Sequence, residues 1–354
     1  MNPELNETIE RIQPVNPEWI ARAEARQLEL TKPPRSLGKL EEIANRLCAI
    51  QETFSPSVER REIYVFAASH GVSEENVSPY PAAVTAQMVL NFLNGGAAIN
   101  ALAKVAGAGL TVVDVGVDGE FQRTTAENLI RAKIARGTKN FTRGAAMTEN
   151  EMTQALAVGL DAAQNAKSNG TTVIGLGEMG IGNTTAASAI TAALLKLEPA
   201  ATTGRGTGAD DETLQRKIEV VRRAIAVNQP DADDALDILR KVGGLEIAAL
   251  VGLIIGAAAN RTAIVTDGFI ATAATALAVK LCPAIADYVF AAHLSVEQGH
   301  VCLLEFIGQQ PIFDLEMRLG EGTGGALAMN VIAAACAAFL EMATFDGAKI
   351  SNRK

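Results

Sequence analysis

The sequence Thr171-Thr-Val-Ile-Gly-Leu-Gly-Glu-Met-Gly-Ile-Gly-Asn-Thr-Thr185 joins a short apolar run to closely spaced glycines and leads into an alanine-rich segment. An apolar run bounded by glycine is typical of a strand buried on both faces of a parallel sheet. An alanine-rich segment favours a helix, because alanine loses little entropy in that conformation. The segment therefore predicts a strand, a turn and a helix, which is the repeating unit of α/β proteins.

The same order of apolar run, glycine and helix recurs along the chain. Further strands are predicted at residues 62–69, 110–116 and 262–268, and a helix over 83–105 would cross back over the sheet. This repetition predicts a Rossmann-like, doubly wound α/β fold with a mainly parallel sheet. Ligands bind beyond the carboxyl ends of the strands in such folds. Four polar residues fall at those ends: His70, Asp114, Glu178 and Asp267.

Helical segments at the two ends of the chain predict a second, smaller domain. Residues 1–53 have the pattern of helices interrupted at Pro33-Pro34, and residues 324–343 that of one long apolar helix. We expect residues 1–58 and 321–354 to form a small helical domain beside a large α/β domain of residues 59–320. The most apolar stretch, residues 242–259, contains an acid, Glu246, and so predicts a buried internal helix rather than a membrane span.

Composition indicates a globular protein and argues against several partners. Of 354 residues, 48% are hydrophobic and 20% are charged, which is enough apolar sequence for a large core. The formal net charge of −9, without a long basic block, argues against nucleic-acid binding. The four cysteines are widely spaced, so neither a disulfide framework nor a metal site is predicted. The acidic, polar N-terminal sequence does not resemble a signal peptide, which predicts a cytoplasmic protein.

Two carboxylates lie among glycines, Glu178 in the segment quoted above and Glu321 in Arg318-Leu-Gly-Glu-Gly-Thr-Gly-Gly325. Glycine lets a backbone approach a ligand closely, so these carboxylates are predicted to face a ligand. Partial desolvation would raise the pKa of such an acid toward the range of a general base. The alternative is a carboxylate that stabilises the start of the following helix. The spacing leaves both interpretations open.

Two glycine clusters suggest a phosphorylated ligand. Gly175-x-Gly177-x-x-Gly180 matches the dinucleotide-binding pattern, but the acid about 20 positions later, Glu198, follows a helical run rather than a second strand. The backbone N–H groups of residues 180–185 could instead hold a phosphate at a helix start, or form only a tight turn. The second cluster, Thr203-Gly-Arg-Gly-Thr-Gly208, precedes a helix from which Lys217 could reach back to an anion or extend into solvent.

Seven segments carry a resemblance to a known family. They are Thr31-Lys-Pro-Pro-Arg-Ser-Leu-Gly38, the stretch from Gly175 to Thr185, Lys217-Ile-Glu-Val-Val-Arg-Arg-Ala-Ile225, Lys241-Val-Gly-Gly244, Asp267-Gly-Phe269, His293-Leu-Ser295 and Arg318-Leu-Gly-Glu-Gly-Thr-Gly324. In this order they resemble the nicotinate-nucleotide–dimethylbenzimidazole phosphoribosyltransferase family. The resemblance extends from about residue 15 to 345, and motifs of this length are more specific than any single glycine loop.

The resemblance implies an enzyme that moves ribose 5-phosphate from nicotinate mononucleotide to 5,6-dimethylbenzimidazole. The products would be nicotinate and α-ribazole 5′-phosphate, a precursor of the lower ligand of cobalamin. The resemblance also implies a Rossmann-like large domain, a small helical domain and a homodimer whose active site is shared between subunits. No cofactor is implied, and no metal is expected, because the leaving group is not pyrophosphate.

The same resemblance assigns roles to individual residues. Glu321 would be the general base that takes a proton from the attacking benzimidazole, and Glu178 a second carboxylate beside it. The pocket for the aromatic base would include Tyr80, Gln87, Met179 and Leu319. The nucleotide and its phosphate would lie near Gly180, Gly206, Lys217 and Ser295, with Asp267 as a ribose or orienting contact.

Two positions depart from the family pattern. Arg35 stands where the first motif usually has glycine, and Ser69 stands where an acid often precedes His70-Gly71. His70 itself is either a hydrogen-bonded turn residue or a functional one. Neither departure affects Glu321, so they concern substrate details more than activity.

Two functions from other classes compete with the transferase. One is an oxidoreductase that uses a nicotinamide cofactor, for which a change in absorbance or fluorescence on adding NADH would be the sign. The other is a non-catalytic carrier of benzimidazoles or nucleotides. The variant Glu321→Gln separates the carrier from the transferase, because a carrier has no turnover to lose.

Overall fold

The computed structural model describes residues 3–121, 126–206 and 208–351. Its strands are β1 (Arg61–Ala68), β2 (Ala108–Gly116), β3 (Leu129–Arg131), β4 (Val173–Met179), β5 (Ala263–Thr266) and β6 (Val289–Ala291). They form one parallel six-stranded sheet in the order β3-β2-β1-β4-β5-β6. This order confirms the doubly wound α/β fold, and the order reverses between β1 and β4.

Helices cover both faces of the sheet. They are α1 (Pro3–Glu10), α2 (Pro17–Glu29), α3 (Lys39–Gln51), α4 (Val84–Leu93), α5 (Ala98–Val105), α6 (Glu149–Ser168), α7 (Asn183–Leu195), α8 (Pro199–Thr202), α9 (Asp211–Asn228), α10 (Ala235–Val242), α11 (Leu245–Ala259), α12 (Phe269–Leu281), α13 (Gly299–Phe306), α14 (Thr323–Glu341) and α15 (Phe345–Ala348). Helices α11 and α12 pack against one face, and α5 and α14 against the other.

The strands form where apolar runs predict them, because the sheet is covered on both faces. Every residue of β4 is buried, as are the last six residues of β1. The predicted strand at 171–175 continues to Met179, so Glu178 lies at the end of a strand rather than in a loop. Strands β3 and β6 were not predicted, because a run of three residues is too short to show a periodic pattern.

The prediction of one helix over residues 83–105 is wrong. The segment forms two helices, α4 and α5, separated by Asn94-Gly95-Gly96. Gly95 has φ +75, a left-handed conformation that ends α4 and that glycine adopts without steric cost. The break brings the start of α5 toward the carboxyl ends of the strands, where it contributes to the site described below.

The apolar stretch around Glu246 is the predicted internal helix. Residues 245–258 of α11 are all buried. The carboxylate of Glu246 lies 2.6 Å from Nε2 of His70, so the acid in this helix has a buried partner. Helix α14 is also long and apolar enough to cross a membrane. It contacts β1, β4 and β5, however, and 56% of its most apolar 18-residue stretch is buried inside the protein. These contacts are those of a core helix.

The two ends of the chain pack together. Helix α3 contacts both α2 and α14, and the backbone N–H of Thr31 donates to the carbonyl oxygen of Ala343 at 3.0 Å. A bridge between Leu30 and Thr344 lies beside this bond. The division into a domain of residues 59–320 and a smaller one of residues 1–58 and 321–354 stays a prediction, because α14 contacts the sheet as well as the N-terminal helices.

Candidate active site

A cavity of about 530 Å³ lies at the carboxyl end of β4, beside the point where the strand order reverses. This is the position predicted from the fold, and the volume suits a small organic ligand. Six residues singled out in the sequence line it: Tyr80, Glu178, Met179, Gly180, Leu319 and Glu321. The sequence analysis missed other lining residues, which include Val84, Met88, Ile181, Asn183, Thr184, Ile270, Glu316 and Arg318.

Gln87 is not among the described residues that line this cavity. Its side chain is exposed on α4, whereas Val84 and Met88 of the same helix form the cavity wall. Residues four apart lie on one face of a helix, and Gln87 is rotated away from that face. A sequence without a known helix orientation could not distinguish between these neighbours.

Glu321 lies in a strained loop that Asp267 holds in place. Gly320, Glu321 and Gly322 have φ values of +81, +64 and +87, all in the left-handed region. Such a conformation in a residue other than glycine costs about 1 to 2 kcal/mol and is frequent at functional sites. The carboxylate of Asp267 accepts the backbone N–H of Gly322 at 3.1 Å and that of Gly325 at 3.0 Å. Asp267 therefore holds the loop of Glu321, and its contact with the substrate ribose stays a prediction.

The carboxylate of Glu321 is buried and has few partners. The residue is 6% exposed, and Oε2 has no hydrogen-bond partner among the described residues. Burial raises the pKa of Glu321 to about 7, with the backbone of Ile99 at the start of α5 opposing the shift and Asp267 adding to it. Helix α14 begins at Thr323 with Gly322 as its N-cap residue, so no N-cap side chain is present. The alternative that the charge of Glu321 stabilises the start of this helix stays a prediction.

Glu178 faces the same cavity from the end of β4. Asn183 donates a hydrogen bond to its carboxylate, and burial raises the pKa of Glu178 to about 8. The charges of Asp267, Glu246 and Glu321 raise this pKa further, while the bond from Asn183 lowers it. A Cβ on Gly320 would lie 2.3 Å from Oε1 of Glu178, so a side chain at this position would displace that carboxylate.

The two carboxylates in the cavity have different raised pKa values. With a pKa of about 8, Glu178 keeps its proton at neutral pH. With a pKa of about 7, Glu321 exchanges its proton near neutrality, which is the property of an efficient general base. Neither carboxylate forms an ion pair with a described residue.

Lys217 reaches back from α9 to the glycine loop and does not extend into solvent. Of the two interpretations of the sequence, this is the first. The side chain is 1% exposed, and Nζ donates to the carbonyl oxygen of Gly204 at 2.9 Å and to Oγ1 of Thr184 at 3.1 Å. Burial lowers the pKa of Lys217 to about 8. Thr184 also lines the cavity, so Lys217 is one residue removed from the cavity wall.

Gly206 and Ser295 join the lysine in one cluster through residues that the sequence analysis missed. The backbone N–H of Gly206 donates to Oε1 of Glu297 at 2.7 Å, and Oγ of Ser295 accepts the N–H of Glu297 at 3.4 Å. The N–H of Ser295 donates to Nδ1 of His300 at 2.9 Å. The contact between Gly206 and Glu297 joins residues about 90 positions apart, so no local pattern in the sequence indicates it.

The remaining candidate residues lie outside the cavity. Nε2 of His70 pairs with Glu246 at 2.6 Å, so His70 is the hydrogen-bonded residue of the two alternatives. Asp114 pairs with Lys133 at 2.8 Å at the end of β2. Oγ of Ser69 accepts the N–H of Asp118 at 3.0 Å. Arg35 is exposed with φ +60, a conformation that explains why glycine is usual at this position of the motif.

The glycine pattern 175–180 does not form a dinucleotide-binding turn. Gly175 and Gly177 lie within β4 rather than after it. A Cβ on Gly177 would lie 2.8 Å from the carbonyl oxygen of Glu321, so this glycine allows the Glu321 loop to pack on the strand. The pattern therefore serves the packing of the site, and the structural context required of a dinucleotide fingerprint is missing.

Comparisons with known proteins agree along the whole chain. A phosphoribosyltransferase family model matches residues 12–350. The nicotinate-nucleotide–dimethylbenzimidazole phosphoribosyltransferase of Geobacter sulfurreducens is 52% identical over 348 residues, which cover 98% of each chain. The protein of the same name from Chloroflexus aggregans is 47% identical, with 99% of each chain covered.

Solved structures extend the likeness to three dimensions. A crystal structure of nicotinate-nucleotide–dimethylbenzimidazole phosphoribosyltransferase from Thermus thermophilus superimposes with a TM-score of 0.90 at 46% identity. The match covers 96% of this chain and 100% of the Thermus chain. By sequence, fold and coverage, this chain belongs to the nicotinate-nucleotide–dimethylbenzimidazole phosphoribosyltransferase family.

Proposed function

We propose that this protein transfers ribose 5-phosphate from nicotinate mononucleotide to 5,6-dimethylbenzimidazole or a similar base, with Glu321 as general base. The products are nicotinate and α-ribazole 5′-phosphate, used in assembling the lower ligand of cobalamin. One observation carries the proposal: a buried carboxylate with an unpaired oxygen and a pKa of about 7 faces a cavity large enough for both reacting rings.

The reaction is a single displacement at the anomeric carbon. The bond from C1′ to the ring nitrogen of nicotinate breaks, and its electron pair neutralises the pyridinium charge, so departure needs no acid. A nitrogen of benzimidazole forms the new bond from the opposite face, which converts a β-linkage into an α-linkage. Glu321 accepts the N–H proton from the other ring nitrogen and prevents positive charge from building up on the product. The carboxylate also favours the developing positive charge on the sugar.

The lining of the cavity has an apolar part and a charged part. Tyr80, Val84, Met88 and Leu319 supply apolar surface for a flat aromatic base. Arg318 lines the same cavity and takes part in no ion pair with a described residue. A guanidinium group binds a carboxylate through two parallel hydrogen bonds, so Arg318 is suited to the carboxylate of nicotinate.

The cluster around Lys217 is suited to the substrate phosphate. Lys217 lies against the glycine loop 203–206 beside Thr184, next to the N-terminus of α7. A helix N-terminus and an ammonium group both favour a phosphate dianion. Gly206 and Ser295 are joined to each other through Glu297, and Gly180 and Thr184 line the cavity that Glu178 and Glu321 also line.

We further expect a homodimer that works in the cytoplasm. Tyr80 and Leu319 line the cavity but are 49% and 50% exposed, and Leu90 and Leu315 nearby in sequence are 44% and 59% exposed. A second copy that covered these side chains would also close the cavity, in line with a site shared between subunits. All four cysteines are free, as is usual in a reducing compartment.

Product analysis tests the proposal. The purified protein is incubated with nicotinate mononucleotide and 5,6-dimethylbenzimidazole, and the products are separated by chromatography. We expect nicotinate and α-ribazole 5′-phosphate in equal amounts, with no requirement for a nicotinamide cofactor. Release of nicotinate without a new riboside would mean hydrolysis, and an absorbance change with NADH would favour an oxidoreductase.

A further inference from the structure

Lys217 is a buried lysine whose ammonium group has a donor to spare. An ammonium group has three N–H donors. Within the described part of the chain, two of them are engaged, by Gly204 at 2.9 Å and by Thr184 at 3.1 Å. The third is available to a phosphate oxygen. That donor is useful only while the amine stays protonated, and burial opposes protonation.

Glu297 approaches the same glycine loop from the other side. Its Oε1 accepts the N–H of Gly206 at 2.7 Å, and the residue is 5% exposed. A Cβ on Gly204 would lie 2.3 Å from Oε2, so the carboxylate packs closely along the loop. Glu297 and Lys217 form no direct ion pair, and the carboxylate acts on the ammonium group across the loop, where it raises the pKa of Lys217.

The other charged groups on and around α9 have partners of their own. Helices α7 and α8, which pack against α9, contain no charged residue. On α10, Asp237 pairs with Arg240 and Lys241. The charged groups of α9 and its leading loop are engaged with one another or with Glu75, in the pairs Arg205–Asp211, Arg216–Glu212, Arg222–Glu219 and Arg223–Glu75, and Asp210 caps the helix at Thr213.

We propose that Glu297 is a positioning residue for phosphate recognition: it holds the 203–206 loop and keeps Lys217 protonated without occupying the donor that the phosphate uses. A direct ion pair would take up that donor and place the carboxylate against the phosphate. A carboxylate one loop away supplies the charge and leaves the donor in place. This role deepens the proposed function and rests on it.

The turn that carries Glu297 is itself fixed. The N–H of His300 donates to the carbonyl oxygen of Glu297 at 2.9 Å, and Nδ1 of His300 accepts the N–H of Ser295 at 2.9 Å. With Nδ1 accepting, Nε2 carries the proton and donates to Oγ1 of Thr272 at 2.9 Å. Burial lowers the pKa of His300 to about 3, so this arrangement persists at every working pH. The position of Glu297 therefore does not vary with pH through this histidine.

Ligand binding as a function of pH tests the role of Glu297. The affinities of nicotinate mononucleotide and of nicotinate riboside, which lacks the phosphate, are measured by calorimetry between pH 6 and 9. The protein is the full chain without the second substrate, as wild type, Glu297→Gln and Glu297→Asp. The matched control is Glu305→Gln, which removes one carboxylate from the exposed side of α13.

We expect the wild-type affinity for the mononucleotide to fall as pH rises through about 8, where Lys217 loses its proton. In Glu297→Gln the fall begins about one pH unit lower, which makes binding about fivefold weaker at pH 8 and close to tenfold weaker at pH 9. Glu297→Asp keeps the charge and the wild-type position of the fall, and Glu305→Gln matches the wild type. The riboside binds all four proteins alike.

An unchanged pH profile in Glu297→Gln, tighter binding of the mononucleotide, or equal weakening of the riboside overturns the role. If Glu297→Gln does not fold, the variant Glu297→Asp decides. A fall in affinity at a different pH from the wild type overturns the role of Glu297, and a fall at the same pH supports it. These outcomes differ from a failure of the proposed function, in which the wild type itself makes no α-ribazole 5′-phosphate.

Discussion

Glu178 and Glu321 show how environment separates two chemically identical side chains. Both are buried beside the same cavity, but Glu178 lies near three other carboxylates, whereas the carboxylate of Glu321 contacts the backbone of Ile99 at the start of α5. The pKa is raised to about 8 in the first and to about 7 in the second. The surrounding glycines predicted from sequence that both acids face a ligand. The ranking of their pKa values could not be predicted, because Asp267, Glu246 and Ile99 reach them only in the folded chain.

The reaction rate should follow these titrations. As a base, Glu321 must be deprotonated, so kcat/KM for nicotinate mononucleotide should rise with pH through about 7. It should fall above about 8, where Lys217 loses the charge that binds phosphate. Initial rates across pH 5.5 to 9.5 check this, because kcat/KM reports the groups of the free enzyme. A profile that is flat through pH 7 would speak against Glu321 as the base.

Glu178 should make the stability of the fold depend on pH. Its pKa is raised from 4.5 to about 8, so between these values the folded protein holds a proton that the unfolded chain has released. The free energy of unfolding should therefore decrease as pH rises through this window, by up to about 1.4 kcal/mol per pH unit. Glu178→Gln, neutral at every pH, should lack this decrease.

Urea unfolding at pH 5, 6.5 and 8 measures the effect. At each pH the free energy of unfolding of Glu178→Gln is compared with that of the wild type. The exposed Glu59 provides the control, since Glu59→Gln should leave the pH dependence unchanged. A constant difference between Glu178→Gln and the wild type would mean that Glu178 is ionised across the whole range.

At the scale of elements, the parts predictable from sequence are those with a local signal. The strands that became β1, β2, β4 and β5 have apolar runs bounded by glycine, and α11 and α14 are long enough for their composition to decide. Strands β3 and β6 have three residues each and no pattern. The break between α4 and α5 depends on Gly95, which the apolar residues on either side obscure.

The loop of Glu321 meets the end of strand β4 at Gly320. This contact should be sensitive to a single added methyl group. In Gly320→Ala the new Cβ would lie 2.3 Å from Oε1 of Glu178, in a loop where φ is +81. We expect kcat to fall at least tenfold, because the carboxylate of Glu178 must shift in the cavity. Gly308→Ala is the matched control, since Gly308 has φ +66 and open space around its Cβ position. Both variants should lose about 1 kcal/mol of stability from backbone strain, and equal activity in the two would contradict the contact.

At the scale of the whole molecule, the fold brings segments far apart in sequence to one edge of the sheet. The order reversal between β1 and β4 creates the crevice, and the loop between residues 316 and 322 closes it. The family motifs predicted six of the residues that line the cavity there, among them Glu178 and Glu321. Contacts such as Glu297 with Gly206 arise from packing between distant segments and have no signature along the chain.

The exposed apolar side chains around the cavity predict the oligomeric state. Sedimentation equilibrium should give twice the mass of one chain. Leu90→Glu, a charge on the exposed side of α4, should shift the protein toward monomer and lower its activity, since the cavity would stay open. Val105→Glu, at another exposed apolar position on α5, is the control and should leave the dimer intact. A wild-type monomer with full activity would contradict a shared site.

The role of Glu321 can be measured directly in the variant Glu321→Gln, which keeps the size of the side chain and removes the base. Turnover of nicotinate mononucleotide with 5,6-dimethylbenzimidazole is compared with the affinity of each substrate for the same protein. We predict that kcat falls by about 10² to 10⁴-fold, while both affinities stay within a few fold of the wild type. A variant that binds both substrates and retains wild-type turnover would show that the proton leaves by another route.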